Sequence, residues 1–165
     1  MSGDLAYTGR HLLTEAQRQQ LLANGRRQRA VQGTDDALDF MPVVKLFGGP
    51  ATYLLTELDE DGDTAFGLCD LSMGYPELGS VSLGELQELR IPVRIGSQVG
   101  QVRMERDAHW QATAPLAGYA EAARAARQIL DRVTWDGPPP VGGALPYRVV
   151  QEWLCRERIE HEGVA

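Results

Sequence analysis

Acidic side chains are concentrated in one part of the sequence and are the first candidates for chemistry. Residues 51–90 hold nine Asp or Glu residues and one Arg, although the chain of 165 residues has a formal net charge of −7. The turn DEDGD at 59–63 resembles a calcium-binding loop, but Thr64 and Asp70 stand where an EF-hand requires Gly and Glu. We therefore predict an exposed hairpin turn that contacts a protein. Its candidate carboxylates are Asp59, Glu60, Asp61 and Asp63.

A second set of acidic residues, with one histidine, could bind a metal ion. Its members are Glu57, Asp70, Glu77 and His109. Carboxylate oxygens and imidazole nitrogens suit Mg²⁺, Mn²⁺ or Zn²⁺. Glu57 and Asp70 lie on segments that we predict to pair in one hairpin. The spacing matches no metal motif, so a small metal-dependent hydrolase is an alternative hypothesis.

Other catalytic signatures are missing from the sequence. It contains neither a G-x-S-x-G nucleophile motif nor a phosphate-binding G-x-x-x-x-G-K-[ST] loop. Cys69 and Cys155 have no metal-binding spacing, and Cys69 lies in an apolar segment typical of a buried strand. We expect no cofactor and a protein that is not an enzyme. With no secretory signal and no apolar run of about 20 residues, we expect a cytoplasmic protein that does not span a membrane.

Arginines form a third candidate set. Arg26, Arg27 and Arg29 lie at the end of a predicted helix, which stops at Asn24-Gly25 or runs on through Arg29. Arg94, Arg103 and Arg106 lie in and after a predicted hairpin. Guanidinium groups bind phosphates, so weak nucleic-acid binding is a second alternative hypothesis. The negative total charge argues against it, and the helix dipole favours arginines at a helix C-terminus in any case. Nucleic acid is therefore not the expected partner.

The segment 70–81 is predicted to be a long loop, whose part from 70 to 79 has a fixed path. Gly74, Pro76 and Gly79 restrict its backbone. Loops longer than a simple connection often carry function, so Tyr75 and Glu77 are candidates for recognition of a protein. The alternative is a loop packed on the sheet edge, with Met73, Tyr75 and Leu78 filling the core.

These residues must be positioned by a mixture of helices and short strands. Thr14 and Gln17, and Ser82 and Glu85, have the spacing of a capping box and predict two helix starts. Short β-rich segments joined by tight turns at 42–47, 52–58 and 64–69 predict antiparallel hairpins, and 93–104 predicts another. Residues 107–112 are a further candidate strand. The sequence predicts an α+β fold, an antiparallel β-meander with helices packed on one face.

The chain divides into four parts by composition. Residues 1–10 are predicted to be a leader, 11–133 an α+β domain, 134–145 a Pro/Gly linker and 146–165 an amphipathic helix with a tail. Residues 115–133 form the last helix of the predicted domain. We expect residues 11–133 to fold without the rest. The final helix must bury Val149, Val150 and Trp153, either on its own domain or on another chain.

Five segments resemble a family of small bacterial proteins known only as a domain of unknown function. They are LLTEAQRQQLLANGR (12–26), PVVKLF (42–47), TYLLTELDEDGDTAFGLCDLSMGYPELGSVSL (52–83), ERDAHWQA (105–112) and PLAGYAEAARA (115–125). The resemblance spans about 11–128 and implies a plasmid or an integrative conjugative element as the source. Together with the charge, it predicts an accessory protein of a mobile element that contacts a partner with a basic surface, such as a host defence or DNA-processing protein.

Overall fold

The computed structural model describes residues 12–162, without the side chains of residues 159, 161 and 162. The predicted leader lies outside the described residues. The described chain forms four α-helices: α1 (Glu15–Val31), α2 (Leu83–Glu88), α3 (Leu116–Ala126) and α4 (Tyr147–Glu162). It also forms nine β-strands: β1 (Leu38–Phe40), β2 (Val44–Gly48), β3 (Ala51–Leu58), β4 (Thr64–Asp70), β5 (Glu77–Ser82), β6 (Ile91–Ile95), β7 (Gln98–Val102), β8 (Glu105–Arg106) and β9 (Ala144–Pro146).

Five strands form the central sheet in the order β5-β4-β3-β2-β8, and every neighbouring pair is antiparallel. The strands β2 to β5 follow one another as a meander because short connections of two, five and six residues join neighbours along the chain. Two smaller antiparallel sheets pair β6 with β7 and β1 with β9. The α+β class and the antiparallel pairing predicted from the sequence are confirmed.

Helices cover both faces of the central sheet, so the predicted packing on one face is wrong. Neighbouring residues of a strand point to opposite faces. Tyr53 and Leu55 of β3 lie in a core cluster with Leu21 of α1 and with α2, whereas Leu54 packs in a second cluster with α3. A central strand that is apolar on both sides needs cover on both sides to keep water out.

The two predicted helix starts are confirmed in their capping contacts. Thr14 and Gln17 form a complete capping box at the start of α1, each side chain accepting from the other residue's backbone N–H. Ser82 accepts a hydrogen bond from the N–H of Glu85 and caps α2. Each contact satisfies a backbone donor that the first helical turn leaves free.

Other boundaries differ from the prediction. The predicted loop 70–81 ends early, because β5 starts at Glu77 and pairs with β4. The candidate strand 107–112 is not a strand, and only Glu105 and Arg106 pair with β2. Helix α3 ends at Ala126, short of residue 133, because Arg127 adopts the left-handed conformation with φ 60°.

The C-terminal part of the chain packs on the rest of it. Strand β9 begins inside the segment predicted to be a linker and ends one residue beyond it, and its partner β1 is distant in sequence. Helix α4 docks beside it, with Val150 fully buried and Leu154 buried. These two side chains form a third core cluster with Leu145, against which Trp135 packs. The amphipathic helix therefore buries its apolar face on its own chain.

Candidate functional site

The acidic turn after β3 is held by two arginines of α1. Glu60 accepts from Arg26 Nε at 2.7 Å and from Arg29 Nη2 at 2.9 Å, and Arg29 also lies 3.5 Å from Asp59. The hydrogen bond from Arg26 and the two positive charges hold the pKa of Glu60 below its usual range. Two candidate surfaces predicted separately, acidic and basic, therefore lie against each other and partly neutralise each other.

The other two carboxylates of the turn bind backbone amides. Asp61 accepts from the hydroxyl of Thr64 and from the N–H groups of Asp63 and Thr64, and these bonds hold its pKa low. Asp63 accepts from the Ser82 hydroxyl and from the N–H of Gly84 at the start of α2. A carboxylate at a helix N-terminus also interacts favourably with the helix dipole. Asp61 therefore builds the turn, and Asp63 anchors α2 to it.

The segment 71–76 after β4 forms a fixed loop with exposed apolar side chains. Asp70, buried at its base, accepts from the N–H of Ser72 at 2.8 Å and from the N–H of Ile129 at 2.9 Å. Ser72 and Gly74 have positive φ angles of 61° and 84°. Such backbone angles are rare for a side-chain-bearing residue such as Ser72 and persist only where the surroundings hold them.

The side chains of this loop point into solvent instead of filling the core. Met73 and Tyr75 are each 75% exposed, while Leu71, Leu78 and the adjacent Glu77 are also exposed. We call these five residues the 71–78 surface. The alternative prediction, that Met73, Tyr75 and Leu78 fill the edge of the core, is wrong. Four large apolar side chains exposed within eight residues are typical of an interaction site.

The predicted protein-contact residues lie at two ends of one strand. The acidic turn precedes β4, whereas Tyr75 and Glu77 follow it. The strand runs from Thr64 to Asp70 and separates them by about 20 Å at 3.3–3.4 Å per residue. The structure therefore does not place the six predicted residues on one surface. Of the two groups, the 71–78 surface is the one whose side chains remain without partners among the described residues.

The structure does not bring the four predicted metal ligands together. Glu57 is opposite Phe66 in the pairing of β3 with β4, whereas Asp70 is opposite Thr52. Four residue steps along β4, from Phe66 to Asp70, correspond to about 13 Å. Asp70 is engaged by backbone amides, and His109 is exposed in the loop after β8. Among the described residues, no three His, Cys, Asp or Glu side chains converge closely enough to hold a metal ion.

The six predicted phosphate-binding arginines also separate into groups. Arg26 and Arg29 pair with the acidic turn, and Arg27 donates to the carbonyl of Gly142 while its guanidinium lies over the ring of Phe40. Arg106 lies on β8 at the edge of the central sheet. These contacts leave Arg94 and Arg103 of the β6–β7 hairpin and its flank as the candidates that point freely into solvent.

One face of this hairpin is basic. Arg94 is opposite Val99, and continuing the same register places Arg90 opposite Arg103. All three guanidinium side chains are exposed, and no ion pair to them is present within residues 12–162. Arg90 donates only to the carbonyls of Glu88 and Leu89. Like charges placed opposite each other repel, so this face suits an anionic partner. The sequence contained the signal, since 89–104 has no acidic residue.

Two carboxyl groups have a raised pKa: Asp39, which the sequence analysis did not single out, and Glu57, which it treated as a candidate metal ligand. Asp39 on β1 is buried and accepts from the N–H of Ala117 at 3.2 Å, and so caps α3, whose own cap residue Pro115 has no side-chain donor or acceptor. Burial raises the pKa of Asp39 to about 7 despite that hydrogen bond. Partial burial also raises the pKa of Glu57 to about 7. Perturbed carboxyl groups of this kind are concentrated at functional sites, although structural ones also occur.

Comparison with known proteins identifies the family of the chain. No helix within residues 12–162 is long and apolar enough to cross a membrane. No curated protein and no solved structure matches the chain significantly. A family model described as "Protein of unknown function (DUF2958)" matches residues 12–130, which include the central sheet, the acidic turn, the 71–78 surface and α1 to α3. The chain belongs to the DUF2958 family of proteins of unknown function.

Proposed function

We propose that this protein acts by binding another protein through the 71–78 surface, without catalysing a reaction. The observation that carries the proposal is the exposure of Met73 and Tyr75 on a loop that Asp70 fixes at its base. A rigid loop loses little conformational entropy on binding, and Tyr and Met are enriched at the centres of interfaces. The fixed, apolar and solvent-facing loop therefore has the properties of a binding element.

The partner that we propose has an apolar pocket beside a basic surface. Tyr75 and Met73 would enter the pocket, and exposed Glu77 would face the basic groups. The net charge of −7 favours encounter with a basic protein over encounter with nucleic acid. Host defence and DNA-processing proteins carry basic surfaces of this kind because they bind nucleic acid. Resemblance to proteins typical of plasmids and integrative conjugative elements supports a role as a cytoplasmic accessory protein of a mobile element.

The test is capture of partners from a lysate of the native host with two matched variants. One variant carries Met73→Ser and Tyr75→Ser. The control carries Ile95→Ser and Val99→Ser on the β6–β7 hairpin, where the two side chains are 69% and 70% exposed. The proposal requires a protein that the wild type and the control retain and that the loop variant loses. It also requires that the purified pair binds more weakly at high salt, because charge contributes to the encounter.

Two results would overturn the proposal. One is a partner that binds the loop variant as tightly as the wild type when both are purified. The other is a partner lost only by the hairpin control, which would place the interface on β6 and β7. Circular dichroism of all three proteins shows whether each variant is folded, since these substitutions replace exposed side chains and are expected to change stability little.

A second candidate function is nucleic-acid binding through the basic face of the hairpin. The observation that favours it is the exposure of Arg90, Arg94 and Arg103 on one face without ion pairs among the described residues. Fluorescence anisotropy with duplex and single-stranded oligonucleotides tests it, using Ala at these three positions. As a control, Arg26→Ala and Arg29→Ala remove arginines that pair with the acidic turn. Weakening by the hairpin variant alone would support this function, and micromolar duplex binding in physiological salt would contradict the preference for a protein partner.

A further inference from the structure

A cavity of about 560 Å³ lies between the end of the central sheet, the C-terminal half of α1, β1 and the first residue of α4. One residue from each of three neighbouring strands lines it: Glu57 on β3, Phe66 on β4 and Ser80 on β5. These three are cross-strand partners, so their side chains project from the same face of the sheet. The volume is in the range of small-ligand sites.

A β-bulge turns Glu57 toward this cavity. The register between β3 and β4 shifts between Leu55 and Glu57. As a result Leu55 and Leu58 both lie in the core beneath α1, while Glu57 is opposite Phe66 on the other face. Bulges re-aim side chains and are over-represented beside functional sites. In a strand without the bulge, Leu55 and Leu58 would point to opposite faces of the sheet, and Leu58 would not lie in the core beneath α1.

The carboxylate of Glu57 is half-buried and forms no ion pair among the described residues, although the positive charge of Arg29 partly offsets the rise in its pKa that burial causes. Its hydrogen bond from the hydroxyl of Thr56 is long, at 3.5 Å, and the same hydroxyl lies 3.4 Å from the carbonyl oxygen of Phe66. Arg29 also lines the cavity, but its guanidinium pairs with the acidic turn. A carboxylate has about four acceptor sites, so most of this capacity is unfilled.

We propose that this cavity binds a cationic group, an alkylammonium or a guanidinium, through the carboxylate of Glu57. Charge-assisted hydrogen bonds would fill its free acceptor sites, and the hydroxyl of Ser80 offers a further acceptor. The rings of Phe66 and Tyr147 line the same cavity, and aromatic faces attract cations of this kind. The cation can be carried by a free small amine or by a Lys or Arg side chain of a protein. The site is separate from the 71–78 surface.

The test is an NMR titration of the protein at pH 8, where Glu57 is ionised. The probes are n-butylammonium, methylguanidinium, and the peptide acetyl-Gly-Lys-Gly-amide, with n-butanol as the uncharged control. We expect saturable shifts of the amides of Glu57, Phe66 and Ser80 with the cationic probes. Glu57→Gln keeps the shape and removes the charge, so it is expected to lower affinity by about tenfold. Glu105→Gln, at an exposed carboxylate of β8 outside the cavity, is expected to leave the affinity within about twofold.

The outcomes are decisive in both directions. Tighter binding of butylammonium than of the peptide would identify a free amine as the ligand, and the reverse would identify a partner's side chain; either supports the site. The absence of saturable shifts with every cationic probe would overturn the proposal, as would equal affinity of Glu57→Gln and wild type. Because the Met73→Ser, Tyr75→Ser variant leaves the cavity intact, binding of the probes to that variant separates this site from the proposed protein-binding function.

Discussion

The buried carboxyl group of Asp39 is expected to make the protein less stable as the pH rises, and Asp39→Asn is expected to remove that effect. Its pKa is about 7 in the folded protein, against 3.8 for the ordinary group. Between these values the folded state keeps the proton while the unfolded state releases it. Stability therefore falls as the pH rises from about 4 to 7 and then levels off.

The magnitude follows from the size of the shift. Each pH unit corresponds to 1.36 kcal/mol, so a rise from 3.8 to about 7 destabilises the ionised folded state by about 4 kcal/mol. Asn carries no charge and can still accept the hydrogen bond from the N–H of Ala117. We expect Asp39→Asn to exceed the wild type in stability by about 2 kcal/mol at pH 5 and about 4 kcal/mol at pH 8.

Urea unfolding at the two pH values, followed by circular dichroism, measures this difference. An amide and a protonated carboxyl group can contribute differently to the free energy of unfolding. That difference is the same at both pH values and cancels when the two are compared. Asp36→Asn, at an exposed carboxylate three residues upstream, is the matched control and is expected to show little change. A stability difference for Asp39→Asn that is the same at pH 5 and pH 8, or that reverses at pH 8, would show that Asp39 is not a buried group of raised pKa.

Three further predictions concern packing and domain limits. Gly67→Ala is expected to lower the melting temperature strongly, because the added Cβ would overlap the carbonyl oxygen of Leu54. Gly79→Ala is the control, since a Cβ there meets no atom within 4 Å. Similar melting temperatures of the two variants would contradict the close approach of β3 to Gly67. Trp153→Ala is expected to lower the free energy of unfolding by about 3 kcal/mol or less. The molar mass of the protein measured by light scattering is expected to stay unchanged, and a change would indicate that the helix contacts another chain. The fragment 11–133 is expected to fold with a lower melting temperature than the whole chain, because β1 loses its partner β9; the absence of a cooperative melt would show that the tail belongs to the domain.

Features encoded by nearby residues could be predicted from the sequence. The capping residues Thr14 and Ser82 act within one helical turn, and the hairpins around β3 and β4 join strands that are neighbours along the chain. Such contacts depend on local spacing and turn chemistry, which a sequence displays directly. The apolar run in β3 also contained a signal for burial on both faces, which the prediction of helices on one face did not use.

Features decided by distant residues could not be predicted in the same way. Strand β5 includes Gly79 and Ser80, which are poor strand formers, and becomes a strand because it pairs with β4. The neutralisation of Glu60 depends on Arg26, 34 positions away. Charge counted along a sequence cannot show such pairing, and for that reason the sequence favoured the acidic turn over the 71–78 surface.

The pairing of β1 with β9 has a consequence for how the protein folds. Asp39 is opposite Leu145, 106 positions away, so this small sheet closes a loop that contains the whole meander. Closing a loop of that length costs about 4 kcal/mol in chain entropy before any contact repays it. The local hairpins should therefore form first and this sheet last. The amide of Met41 donates to the carbonyl of Gly143, whereas the amide of Val43, two residues later, donates to the carbonyl of Leu55. These two amides then belong to cooperative units that open separately.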